Sequence, residues 1–339
     1  MNNELKVTTK LDIKQWSEFV SNHPKGNIFQ TPEMYEVYKR TKRYEPIFLA
    51  VVDSSEKVQA LLLAHVIREF DGFIGSFSSR SIIQGGPLFV ENDAGEGALK
   101  LLLIDYDKIA NKKALYTQIR NLYDTSKFKE VFLQNGYGCE EHLNFLVDLT
   151  KSKDELWQRL TKKRRNRIRM ARKKGVTIEE VNDKNLISVF CSLIHEAYKN
   201  ARTPLADVTL FESVFDLLVS KKMAKIFLAK YENTYIGTMC VLMYNTRTYN
   251  WYAGASKKYL QLCPNDLLGW YSIEWGLENG YKIFDLGGAG KPNEKYGVKE
   301  FKKQFGGEVV NFGRYLKIYS PRKLWLAEKG FKVHRRLRL

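Results

Sequence analysis

YKIFDLGGAGKPNEKYGVKEFKKQFGGEV, residues 281–309, is the stretch on which the reading of the whole chain turns. A short apolar run, Ile283-Phe284, ends at Asp285, and a glycine turn follows, Gly287-Gly288-Ala289-Gly290. Glycine there lets the backbone take a positive φ or approach a ligand closely, which makes Gly288 a candidate contact position. A short amphipathic piece with Phe301 and Phe305 comes next, and its lysines, Lys299, Lys302 and Lys303, return close to the turn. Two phosphate motifs fail on this turn. A P-loop needs glycine where Asp285 stands and Ser or Thr where Pro292 stands. A dinucleotide fingerprint starting at Gly288 needs a third glycine where Asn293 stands.

Working outward, 339 residues with 44% apolar and 13% aromatic content can bury full cores and argue against disorder. The expected division is a first domain over 1–150, a second over 151–320, and a basic C-terminal helix over 321–339. The four cysteines (Cys139, Cys191, Cys240, Cys263) lack C-x-x-C spacing and read as reduced thiols. No metal is expected, because Lys199 replaces the second histidine of H-E-x-x-H after His195-Glu196. The N-terminal MNNELKVTTKLD has no apolar signal region, and no run of 18 apolar residues exists. A cytoplasmic protein is expected, with peripheral contact at the inner membrane face as an option. The excess of 55 basic over 38 acidic residues, net +17, calls for an anionic partner: nucleic acid, a nucleotide-linked substrate or an anionic membrane.

In the first half, Ile13–Ser21 and the segment from Pro32, capped by Thr31, read as helices. Pro46–Val52 and Val58–Ile67 read as a hairpin across Asp53–Lys57. Gly72–Gly86 reads as a Gly/Ser-rich connection, Gly95–Ala110 as a helix, and Ala114–Ile119, Phe128–Leu133 and Leu143–Leu149 as strands. From Lys151 the order is helix, strand, helices, β meander, helix, strand, helix, strand. That is an α+β pattern of mostly antiparallel strands flanked by helices. Ser152 and Glu155 form a capping box at its start. The helix that follows carries nine basic residues in the thirteen of Lys162–Lys174, ended by Gly175. Like charges at that density repel unless an anion neutralises them, so Lys162, Lys163, Arg164, Arg165, Arg167 and Arg169 are expected to bind RNA or other phosphates.

Four segments together resemble the Fem family, the aminoacyltransferases that build peptidoglycan interpeptide bridges, and their acetyltransferase-like relatives. They are KKRRNRIRMARKKGV at 162–176, Phe29-Gln30-Thr31-Pro32-Glu33, Tyr252-Ala253-Gly254-Ala255-Ser256, and FDLGG at 284–288 followed by FKKQFG at 301–306. The long charged helical hairpin of the staphylococcal members has no counterpart here. The resemblance implies two tandem GNAT-like domains and acyl transfer to an amine without a metal or bound cofactor. It implies aminoacyl-tRNA as donor and a nucleotide- or lipid-linked muramyl peptide as acceptor. Carried over by motif, Lys302 sits at the reaction centre, Lys39 and Arg202 hold acceptor phosphate, and Tyr252 lines the acceptor groove. Asp285, at the strand end, either orients the donor or caps the next turn. An N-acyltransferase using acyl-CoA or another donor on a cell-envelope glycan or sugar nucleotide remains an alternative, although the Q/R-x-x-G-x-G/A pyrophosphate loop is not evident. A non-catalytic RNA-binding protein is the third reading. Basic residues interleaved with apolar ones over 329–339 are expected to dock on an anionic leaflet.

Overall fold

The computed structural model describes residues 4–69, 78–327 and 329. The chain forms two compact units. One runs up to Glu141 and is completed by the segment from Phe312; the other is His142–Asn311.

In the first unit the elements are β1 (Lys6–Thr8), α1 (Ile13–Asn22), α2 (Pro32–Arg40), β2 (Tyr44–Val52), β3 (Val58–Ile67), β4 (Arg80–Gln84), β5 (Leu88–Phe89), α3 (Asp93–Ala110), β6 (Tyr116–Arg120), α4 (Lys129–Gln134) and β7 (Gly138–Glu140). The second unit has β8 (Leu143–Asp148), α5 (Lys153–Arg159), α6 (Lys162–Lys173), β9 (Thr177–Glu180), α7 (Ile187–Asn200), α8 (Val208–Val214), β10 (Ala224–Tyr231), β11 (Thr234–Tyr244), β12 (Arg247–Ala255), α9 (Pro264–Glu278), β13 (Ile283–Gly288), α10 (Gly297–Lys303) and β14 (Glu308–Asn311). A last strand, β15 (Arg314–Ile318), returns to the first unit.

Each unit is built on one sheet. Its order is β1-β2-β3-β4-β6-β15-β7 in the first, with β5 beside β3, and β14-β8-β13-β12-β11-β10-β9 in the second. Pairing among the described strands is antiparallel except for one parallel pair per sheet, β4 with β6 and β12 with β13. Two mixed, mostly antiparallel sheets flanked by helices are the α+β arrangement expected from the sequence. Local signals account for several elements. Thr31 caps α2 ahead of Pro32, Asp53 ties the β2–β3 turn through the Ser55 and Lys57 N–H groups, and the Ser152–Glu155 capping box starts α5. In the second unit, Phe227 and Ala229 of β10 face a core shared with α5, α6 and α9. Alternation along the strand turns Ile226 and Leu228 to the other face, where α7 lies on β11 and β12.

Four expectations are corrected. The break at 150 moves to 141/142, because β8 pairs with β13 and β14 and so belongs to the second sheet. The break at 320 moves to 311/312, because β15 pairs with β6 and β7. Phe128–Leu133 is not a strand: residues 129–134 are α4, and Val131 and Phe132 supply one buried helical face. The stretch expected as a Gly/Ser-rich connection contains β4, which sits inside the first sheet. Helix begins at 321, with Trp325 and Leu326 exposed. Beyond Lys329, the basic segment expected to dock on a membrane lies outside the described residues. No helix among the described residues is long and apolar enough to cross a membrane.

The returning strand is pinned by Asp107 of α3. Its carboxylate accepts from the Tyr137 hydroxyl at 2.7 Å, the Tyr319 hydroxyl at 2.6 Å and the Lys317 ammonium at 2.6 Å. Asp107→Asn is expected to cost about 3 kcal/mol, the scale of charge-assisted bonds lost from a partly buried network. A denaturant titration checks this, and an unchanged midpoint would mean that sheet pairing alone holds β15.

Candidate active site

The parallel pair β12–β13 is in register for three positions: Arg247↔Ile283, Thr248↔Phe284 and Tyr249↔Asp285. Both strands continue, to Ala255 and Gly288, without further ladder pairing to each other. A bulge at Trp251 turns β12 at this point, since Asn250 and Tyr252 face consecutive residues of β11. The strands therefore part just after Asp285, where the glycine turn begins.

Asp285 is 5% exposed. Its carboxylate accepts the Gly287 N–H at 2.7 Å and both oxygens approach the Asn144 amide at 3.1 and 3.2 Å. Burial pushes its carboxyl above the usual range, against these hydrogen bonds and the charges of Lys302 and Arg247. Of the two roles considered from sequence, the geometry exhibits the cap. Gly287 has φ +78°, and a Cβ there would lie 3.1 Å from the Asn250 carbonyl oxygen and 3.3 Å from the Lys302 ammonium.

Lys302 reaches this corner from α10 and donates to the Gly288 carbonyl at 2.8 Å. Burial lowers its pKa to about 8, with Asp285 opposing the shift. Its neighbours in the lysine cluster do something else. Lys299 donates to the Pro292 and Glu294 carbonyls at 2.8 and 2.6 Å, closing the 291–296 loop, and Lys303 is exposed. Only Lys302 of the three is directed to the glycine turn.

The basic helix α6 splits into two faces, and one of the expected phosphate residues, Arg164, is corrected. Arg164 is 1% exposed and ion-paired with Asp266 of α9. It stands four residues before Ile168 and seven before Ala171, both buried, so helical periodicity turns it into the core. Arg165 donates to the Gln158 and Leu160 carbonyls at 2.8 and 2.7 Å, closing the end of α5. Arg167 shares Asp266 at 2.8 Å. Outward lie Lys162, Lys163, Arg169 and Lys173, with Arg169 5.4 Å over the Trp157 ring.

The remaining expected residues lie on other elements. Lys39, on α2 of the first unit, is 61% exposed at its side chain and 3.6 Å from Glu36. Arg202 follows α7, exposed, with φ +52°. Tyr252, just past the bulge, packs its ring against Trp251, Phe211 and Tyr198 at 4.8–5.7 Å. The structure thus brings together Lys302, Asp285 and Gly288. Sequence reasoning missed Asn144, which lies 141 residues from Asp285 with no local signal. It also missed the Arg164–Asp266 pair, whose signal was the periodicity just described.

Over residues 159–303 the chain matches the acetyltransferase (GNAT) domain family. That span runs from the end of α5 to the end of α10 and so encloses α6, the parting strands and Lys302. The lipid II:glycine glycyltransferase of Staphylococcus epidermidis is 19% identical over 369 aligned positions, covering 86% of this chain and 88% of that one. The enzyme of the same name from Staphylococcus aureus is 20% identical, covering 85% and 87%. Among solved structures, FemX aligns with TM-score 0.71 at 18% identity over 95% of this chain and 99% of that chain. A tandem GNAT protein from the clavulanic acid biosynthesis pathway aligns with TM-score 0.61 at 10% identity, over 94% and 99%. The expected fold, two tandem GNAT-like units, is borne out, and so is the relationship to the Fem enzymes.

Proposed function

We propose that this GNAT-fold acyltransferase, a relative of the Fem enzymes, moves an amino acid from aminoacyl-tRNA to an amine of a lipid-linked peptidoglycan precursor. The observation that carries the reading is the desolvated Lys302 ammonium held at the glycine turn where β12 and β13 part. The name shared by the staphylococcal relatives, lipid II:glycine glycyltransferase, supports the acceptor class.

In such a transfer the amine lone pair attacks the ester carbonyl, a tetrahedral oxyanion forms, and the C–O bond to the ribose breaks. The amine loses a proton and the ribose oxygen gains one. Lys302 is the group that stabilises the oxyanion or protonates the leaving ribose oxygen. A pKa of about 8 leaves it mainly charged at neutral pH yet ready to give up a proton. No bound cofactor is needed for these steps. The test is to incubate the protein with labelled aminoacyl-tRNA or acetyl-CoA and cell-wall precursors, then to weigh the products. An aminoacylated precursor formed only with charged tRNA supports the proposal. Acetylated product points to the acyl-CoA reading, and RNA binding with no product to the binding module.

The outward face of α6 suits the donor. Lys162, Arg169 and Lys173 fall on one stripe at helical steps of seven and four, about 16 Å long at 1.5 Å per residue. Changing these three to Gln is expected to make the slope of log K against log salt for tRNA shallower by roughly 2–3, about one counterion per contact. Arg164, Arg165 and Arg167 are unsuitable for this test because the fold uses them. A slope unchanged in the triple variant would remove α6 from the donor site.

A further inference from the structure

We infer that Arg164 is a positioning residue for Lys302: its buried guanidinium grips the turn of α10 that aims the ammonium at Gly288. The inference rests on the reading of Lys302 given above.

Three elements converge on that turn. From α6, Arg164 donates to the Phe301 carbonyl at 2.9 Å, one residue before Lys302. Its guanidinium carbon lies 4.0 Å from the Phe301 ring centre and 4.4 Å from that of Phe305. From α9, Asp266 fixes the same guanidinium. Also from α9, Gly269 leaves room for Phe305, since a Cβ there would meet that ring at 2.6 Å. The two rings, themselves 5.4 Å apart, and one carbonyl thus set the rotation of α10 about its axis. With seven residues, α10 is too short to hold its own place, so its tertiary contacts fix where Lys302 points.

A buried guanidinium is a costly way to fill space. An apolar pair of like volume is often as stable or more so. Here the Arg164 Nε is also buried without a partner among the described residues. Packing alone would be served by methionine and leucine. What they cannot supply is a flat cation that stacks on two rings while donating to a chosen carbonyl.

The charged group that acts on the Lys302 ammonium is the Asp285 carboxylate from β13, with Arg247 acting on Asp285; the Tyr249 hydroxyl from β12 lies beside the same Gly287 position. Lys299 and Lys303 share its helix but lie elsewhere. A loosened α10 would let the ammonium swing away from this corner into water, and its titration would return toward that of an ordinary lysine.

The experiment uses the full chain with Arg164→Met/Asp266→Leu, which removes the charge pair together so that neither partner is stranded. Arg167, half exposed, then turns to solvent. Two readouts are taken: transfer kinetics, and pH-dependent acetic anhydride labelling of Lys302 followed by mass spectrometry. The expected result is a cooperatively folded variant whose kcat falls by roughly 10- to 100-fold, the scale of an ångström-level misplacement, with KM nearly unchanged. The labelling midpoint should rise from about 8 toward the usual lysine value. Arg164→Lys keeps the charge beside Asp266 but lacks the flat fork, and should recover only part of the rate. A folded double variant with parental kcat and parental labelling midpoint overturns the inference. If instead Lys302→Ala leaves transfer intact, the catalytic reading of Lys302 fails, while the labelling midpoint still judges whether Arg164 places it. Should the double variant not fold, Arg164→Lys judged by the same two readouts decides, and full retention of both overturns the inference.

Discussion

Lys302→Ala is expected to lower turnover by about 10²–10³, the cost of losing one donor to developing negative charge. Substrate binding should change far less, because the oxyanion exists only in the transition state. Lys303→Ala is the internal control: it is the next residue, also a lysine, and exposed. The pH dependence separates two roles. If the ammonium does the work, the rate falls as pH rises through the Lys302 pKa near 8. If the free amine acted as base, the rate would rise through the same pH. Lys302→Arg retains charge but cannot lose its proton, so it should keep part of the rate and lose the fall near pH 8. Equal, small losses at both lysines would make the α10 lysines a solvated face and would withdraw the site.

Much of this site was legible as text, and the boundary of what was legible has a physical cause. Asp285, the glycine turn and the Phe301/Phe305 pair lie within one short segment, and local patterns report local geometry. The same patterns could not separate Lys299 from Lys302, because both project from α10 and only the loop carbonyls distinguish them. Arg164 is a different case. Its spacing from Ile168 and Ala171 places it on the apolar stripe of α6, so the sequence carried the signal of its burial. In the bare sequence, charge density outweighs periodicity, and an arginine on a core face reads as surface. Strand partners were illegible for another reason. A strand's text says which side chains face inward but not which strand it will join. Hence β8 and β15 were assigned to the wrong units, although both were placed as strands. The α4 segment failed because Val131 and Phe132 form an apolar run too short for period 2 and period 3.6 to be told apart.

Gly287→Ala should lower turnover by roughly 10²-fold, and the reason lies in what the new methyl would meet. At φ +78° an L-residue pays about 1–2 kcal/mol of backbone strain wherever it sits. Gly280, at φ +77°, would pay the same strain, but its added Cβ would meet nothing within 4 Å. Gly280→Ala therefore measures strain alone. At Gly287 the methyl would lie 3.1 Å from the Asn250 carbonyl oxygen, which the β12 backbone holds in place, and 3.3 Å from the Lys302 ammonium, which ends a flexible side chain. The lysine is what yields. It leaves the Gly288 carbonyl, to which it is bonded at 2.8 Å, and no longer faces the parting of β12 and β13. Both variants should melt a few degrees below the parent, by similar amounts. Only Gly287→Ala should lose rate, and its residual activity should no longer fall near pH 8. Gly287→Ala with parental kcat, or a loss matched by Gly280→Ala, would mean that the corner between Gly287 and Lys302 takes no part in transfer.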